Sequence, residues 1–233
     1  MNLSLRAQLL VIVALIVVLS GCETVDTALR SAFDGVSGGF EDVDTSSTPG
    51  TRIRSTTASQ PDLETLLEAG PSAVELTGEE RRLYELIMEY RQDHGLPSIP
   101  LSRSLTFVAQ VHARDTARTS FPGGCNRHSW SDDGPWSGGC YTSDHANAEL
   151  MWEKPRELTD HPGSGFEISH YHSGGATAMS SLSGWQSSPG HDRVIRNAEQ
   201  WSRHPRNAIG IGIYRTEAHV WFGREPDPLA PLE

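Results

Sequence analysis

Ile209-Gly210-Ile211-Gly212-Ile213 alternates a β-branched residue with a residue that has no side chain. That period of two belongs to a strand, whose successive side chains point to opposite faces. One face of this strand is bulky and the other nearly bare, and a bare face lets something approach the backbone closely. Ala218 to Gly223 reads as the returning strand, so the pair is expected to form an antiparallel hairpin around Arg215-Thr216-Glu217.

Helical signals precede this hairpin. Thr77-Gly78-Glu79-Glu80 matches a capping box, and Leu83, Leu86, Ile87 and Tyr90 follow at helical spacing until Gly95 and Pro97 stop the run. A second helix is expected from Ser102 or Ser104, with Leu105, Val108, Ala109, His112 and Ala113 on one stripe. His112 is therefore read as a satisfied core histidine. Residues 121–175 show no helical or strand period; the stretch is Gly-rich and dense in His, Trp and acidic residues, and long irregular segments inside a domain tend to carry function. A short helix is expected over residues 176–185 and another from Ser188, with Pro189 at its first position. His191 would then lie in a first turn, where the helix dipole keeps an imidazole neutral.

The amino-terminal end is of a different kind. An apolar run from Leu9 to Leu19 follows Arg6 and leads into Ser20, Gly21 and Cys22. It is shorter than the roughly 20 residues of a membrane-spanning helix and reads as a secretory signal, residues 1–21. Leu19-Ser20-Gly21-Cys22 resembles the bacterial lipobox, which implies a lipid on Cys22 and a membrane surface as a partner. Glu23 rather than Asp follows, which favours the outer membrane of the cell envelope. Residues 22–76 are rich in Ser, Thr, Asp and Gly and read as a tether with a reach of roughly 40 Å, in which the short run Asp62 to Ala69 is expected to form a helical turn. Apart from Cys22, only Cys125 and Cys140 remain, a pair suited to an oxidising compartment. Closing that loop would stabilise the fold by about 3 kcal/mol. A formal net charge of -11 argues against a nucleic-acid partner, because phosphate contacts need clustered Lys and Arg.

Several motifs share one resemblance. Trp185-x-x-Ser188-Pro189-Gly190-His191, Asn126-Arg127-His128-Ser129-Trp130, Gly165-Phe166-Glu167-Ile168, Gly210-x-Gly212-Ile213-Tyr214 and Val220-Trp221-Phe222-Gly223 are similar to motifs of the CAP superfamily, which groups cysteine-rich secretory proteins, antigen 5 and plant pathogenesis-related proteins. The resemblance covers residues 77–225, leaving 226–233 as a carboxy-terminal tail. It implies an α+β fold, an α-β-α sandwich with a small, mostly antiparallel sheet between helical layers. It also implies a ligand-binding cleft, with His128, Glu167 and His191 matching the family's site positions. Where animal and plant members have Trp-x-x-Glu, this chain has Trp185-Gln186-Ser187-Ser188. Glu149, in Asn147-Ala148-Glu149-Leu150, is the rival for the acidic role.

Two imidazoles and a carboxylate can hold Zn²⁺ or another divalent cation with one position left open, which would activate a water for hydrolysis. The first reading is thus a lipid-anchored protein that binds a lipid, a peptidoglycan fragment or a protein partner in this cleft. The second is a metal-dependent envelope hydrolase. A serine mechanism lacks support, because Gly184 to Gly190 has no Gly-x-Ser-x-Gly spacing. The third is a structural or adhesive surface module using exposed Trp130 and Trp136. A metal-free hydrogen-bonded network of the same three residues stands beside all of these.

Overall fold

The computed structural model describes residues 60–232. The signal, Cys22 and residues 22–59 of the tether lie outside the described residues. Within them are seven α-helices and a three-stranded antiparallel sheet. The helices are α1 (Leu63–Ala69), α2 (Gly78–Asp93), α3 (Arg103–Arg118), α4 (Ala148–Trp152), α5 (Lys154–Leu158), α6 (Ala178–Gln186) and α7 (Pro189–Ile195). The strands are β1 (Gly165–Tyr171), β2 (Ala208–Tyr214) and β3 (Glu217–Gly223), in spatial order β1-β3-β2. This is the expected α+β architecture.

The hairpin forms as the alternation requires: Tyr214 pairs with Glu217, and Arg215 at the turn has a left-handed φ of 54°. The two faces of the sheet then take different partners. Ile209, Ile211 and Ile213 join Ile168, Val220 and Phe222 in a core completed by Leu83 and Ile87 of α2, Leu182 and Trp185 of α6, and Ile195 of α7. On the bare face, α3 lies against the strand itself. A Cβ on Gly210 would stand 2.0 Å from the backbone carbon of Leu105, and one on Gly212 would stand 2.3 Å from that of Ala109. A side chain at either position would collide with helix backbone, so the glycines set the distance between helix and sheet. Leu105, Val108, Trp130, Trp136 and Trp221 build the second core on this side.

Local signals behave as their chemistry dictates. Thr77 and Glu80 form the capping box, and the buried Glu80 carboxylate also accepts from Ile213 N at 2.9 Å and from Gln110 Nε2 at 3.0 Å, tying α2 to β2 and α3. Gly95, with φ 70°, ends the first long helix.

Order extends beyond residues 77–225. The segment expected to be tether contributes α1, with Leu63, Leu66 and Val74 buried, while Gln60 Nε2 donates to Ile213 O and Arg114 Nε donates to Pro61 O. At the other end Asp227 accepts from Ser104 N at 2.8 Å, and Leu232 packs on both cores. The Ser- and Thr-rich composition concealed three apolar residues that the domain buries. The stretch expected to be irregular also holds regular elements, α4, α5 and β1. β1 escaped notice because Glu167, Ser169 and His170 interrupt its apolar pattern. Trp130 and Trp136 are not exposed, at 3% and 7%, so the adhesive surface expected of them is corrected: they are core residues. No helix among the described residues is long and apolar enough to cross a membrane.

Candidate functional site

Glu167 of β1 stands opposite Trp221 of β3, and His219 lies two residues along β3. The period of two puts all three on the face that carries Gly210 and Gly212, and long side chains at diagonal positions of paired strands can meet. Gly212 is paired with His219 and receives the backbone of Ala109; one turn beyond Ala109 is His112. The bare strand therefore brings an α3 imidazole to a β3 imidazole, with ring centroids 4.3 Å apart. His128 comes from the loop that the Cys125–Cys140 disulfide closes, as expected of these two cysteines. Asn126 N donates to Tyr141 O across that loop, and Trp130 pairs with Gly139.

The three histidines converge on one carboxylate. Glu167 Oε1 lies 2.5 Å from His112 Nδ1 and 2.7 Å from His219 Nδ1, and Oε2 lies 2.7 Å from His128 Nδ1. The side chains of Glu167, His112 and His219 are fully buried, and that of His128 is 16% exposed. The His112 ring stacks on Trp130 at 4.0 Å.

Proton positions follow from the partners. His112 Nε2 faces the carbonyl of Ser129 at 2.9 Å, which can only accept, so this nitrogen carries a hydrogen. Its Nδ1 faces a carboxylate and needs a hydrogen as well, which makes His112 an imidazolium. Burial alone would lower its pKa, but the charge and hydrogen bond of Glu167 raise it above the ordinary 6.5. Burial would raise the Glu167 pKa; the His112 charge, the neighbouring His219 and the hydrogen bonds of His112 and His128 hold it well below the usual carboxylate range. Burial keeps His219 neutral, with a pKa of about 4 despite the attraction of Glu167 and with the His112 charge adding to the effect. A neutral His219 donates from Nδ1 to Glu167, and its Nε2 lies 3.0 Å from Thr116 Oγ1, a hydroxyl that also donates to His112 O at 2.9 Å.

His191 is not a member of this group. It sits half-buried on α7, a helix that packs on α6 and lies on the other side of the sheet from α3. Its pKa falls to about 4 because of burial first and then the electrostatic influence of His128 and His170, with Glu167 opposing. The neutral imidazole expected from the helix dipole is thus present, with desolvation as the leading cause. No described residue hydrogen-bonds its ring, and Nε2 of nearby His170 is buried without a partner. Glu149 is exposed on α4 and lines a different pocket, of about 490 Å³, with Ser137, Leu150, Glu153, Arg156 and Glu157.

Of the metal set expected from the sequence, His128 and Glu167 meet at 2.7 Å, and among the described residues no hydrogen bond joins His191 to either. Among the described residues, the ligating atoms of His112, Glu167 and His219 all lie within 4.8 Å of one another, and this group could hold a metal ion. Its chemistry fits: two imidazoles and a carboxylate, with Ser129 and Thr116 fixing the second ring nitrogens. Its spacing is that of protons, because ligands bound to Zn²⁺ at roughly 2.0 Å in a tetrahedron stand about 3.3 Å apart. An ion would have to push these atoms apart and displace a proton. His219 is not legible in the sequence as a site residue, because a single histidine in an apolar strand has the pattern of a core residue. The signal that could have found it is its place on the same strand face as Trp221, opposite the bare Gly212.

Among solved structures, an extracellular protein containing an SCP domain from Bacillus anthracis str. Ames is similar at 16% identity, covering 65% of this chain and 45% of that one, with a TM-score of 0.45. An outer surface protein from Borrelia burgdorferi matches at 16% identity over 64% of this chain and 95% of that one, TM-score 0.44. A cysteine-rich secretory protein from Staphylococcus aureus subsp. aureus Mu50 matches at 15% identity over 63% and 38%, TM-score 0.41. The chain thus spans less than half of the first and third of these proteins. No curated protein matches it. The family model of the cysteine-rich secretory proteins matches residues 84–222, more than half of the sequence, and the chain belongs to the CAP family.

Proposed function

We propose that this protein is anchored by lipid on Cys22 at the outer face of a bacterial membrane and binds an envelope ligand at His191 and the His128 and His170 imidazoles that influence it electrostatically. The observation that carries the reading is the state of two imidazoles: among the described residues His191, neutral and partly desolvated, has no hydrogen-bond partner, and His170 Nε2 is buried and unpaired. Polar rings taken from water without a partner cost free energy, and a ligand bearing hydroxyl or amide groups would restore their hydrogen bonds. Glu167 and its histidines serve as the rigid floor that orients His128. A peptidoglycan fragment has the required groups and lies within reach of a tethered domain. Calorimetric titration of muropeptides into the mature chain carrying Cys22→Ser should show binding that weakens about tenfold in His191→Ala, the loss expected for one hydrogen bond. Equal affinity in the two proteins would sink the reading.

A second reading rests on the His112, Glu167 and His219 donor set, which suits a divalent cation and, with it, water activation. Zinc near one equivalent per chain in the same preparations, absent from His219→Ala, would favour it. Metal-free protein with unchanged muropeptide binding would exclude it.

A further inference from the structure

Arg206 follows the 3-10 turn Glu199–Arg203 and precedes β2, at the end of the sheet where β1 begins and β3 finishes. It is 7% exposed, and none of its three guanidinium nitrogens has a hydrogen-bond partner among the described residues. Around it are the rings of Phe222, Trp201 and Phe166, with centroids 5.1, 5.2 and 5.5 Å from the guanidinium carbon. Aromatic faces attract the charge but do not satisfy five N–H donors. The charges that act on Arg206 are of its own sign, Arg91 and Arg224; with burial, the larger cause, they lower its pKa to about 10, so it stays charged at neutral pH.

The fold treats its other buried arginines differently. Arg91, equally hidden, donates to Pro97 O, Ile195 O and Asn197 Oδ1, and Arg114 donates to Pro61 O and Gln110 O. Arg206 alone among these three lacks an acceptor. Beside it His204 Nδ1 is also buried and unpaired, and the His204 ring lies 5.2 Å from Phe166 and 5.5 Å from Trp201. Trp152, 37% exposed, meets Phe166 at 6.4 Å and extends the aromatic wall to the surface.

We propose that Arg206, with His204 beside it, forms a second binding site, for an oxyanion: a carboxylate or phosphate group that enters along the Trp152 and Trp201 wall. A planar guanidinium can engage two oxygens of such a group at once, and the aromatic walls exclude the water that would weaken the contact. The missing counter-ion of a buried cation is thereby supplied by the ligand. This site is separate from the Glu167 cluster, because Phe166 and Phe222 face the opposite side of the sheet from Glu167.

The test is a titration of the mature chain carrying Cys22→Ser with sodium phosphate and, separately, sodium acetate, at ionic strength held constant with sodium chloride. The Arg206 Nε–Hε resonance should shift saturably, together with the His204 ring. Saturation by phosphate alone assigns a phosphate ligand, and saturation by acetate assigns a carboxylate. Arg206→Lys should bind about tenfold more weakly, since a lysine ammonium lacks the two-pronged geometry. A shift that rises linearly with added salt, or one whose effect on His204 persists in Arg206→Gln, marks an adventitious ion only and overturns the proposal, as does no shift at all. If Arg206→Gln fails to fold, the wild-type Arg206 resonance decides the matter by itself.

Discussion

His112 and His219 face the same carboxylate oxygen and are equally buried, yet one is charged and the other neutral. Ser129 offers His112 a carbonyl that only accepts, whereas His219 has no such obligate acceptor at its far nitrogen, and burial together with the neighbouring His112 charge opposes a second charge there. This asymmetry has a consequence for stability. His219 and His191 have folded pKa values of about 4 against the ordinary 6.5, so between these values the unfolded chain binds more protons than the folded one. Stability must fall as pH drops through that window, by up to about 1.4 kcal/mol per pH unit for a fully buried group such as His219. Glu167, held low, contributes stability that is present above 4.5 and disappears only as pH falls through its folded value. His112, held high, contributes stability that is complete below 6.5 and is lost as pH rises through its folded value. Urea unfolding from pH 7 to 4 should show a midpoint that declines below about 6.5, less steeply in His191→Asn. A flat profile there would contradict both neutral assignments.

At the level of elements, the Gly210 and Gly212 positions matter more than any side chain, because they are where a helix backbone meets a strand backbone. Alanine at Gly212 would place its Cβ 2.3 Å from the Ala109 carbonyl carbon, an atom that cannot turn aside as a side chain could. Gly212→Ala should therefore lower stability by about 3 kcal/mol, the upper range for overpacking, and should also loosen the His112 to His219 contact. Gly190 in α7 is the matched control, with nothing within 4 Å of an added Cβ. Gly190→Ala should be neutral or stabilising by up to about 1 kcal/mol. Equal losses in the two variants, read by thermal unfolding, would remove the close-approach argument. The strands β2 and β3 were legible because their alternation is local. β1 was not legible, since its polar residues serve the site it lines.

Across the whole domain, the boundary at Thr77 that composition suggests leaves out structure. Leu63, Leu66 and Val74 are buried against α3 and its neighbours, and each apolar side chain returned to water costs about 1.5–3 kcal/mol. A chain starting at Thr77 should thus be about 5 kcal/mol less stable than one starting at Gln60, measured by urea unfolding, and coincident curves would show that α1 contributes nothing. Sequence by itself determined what depends on near neighbours: the capping box of Thr77 and Glu80, the proline start of α7, the β2–β3 hairpin, the pairing of the two cysteines, and the family to which these motifs point. It also marked His128 and Glu167, which do meet. Tertiary structure decided the rest of the site. His112 and His219 lie 55 and 52 positions from Glu167, and only the strand register, together with the approach of α3 onto two glycines, sets them against one carboxylate while leaving His191 outside. Such contacts are invisible to local pattern, because one shifted residue of register turns Glu167 or His219 to the other face of the sheet.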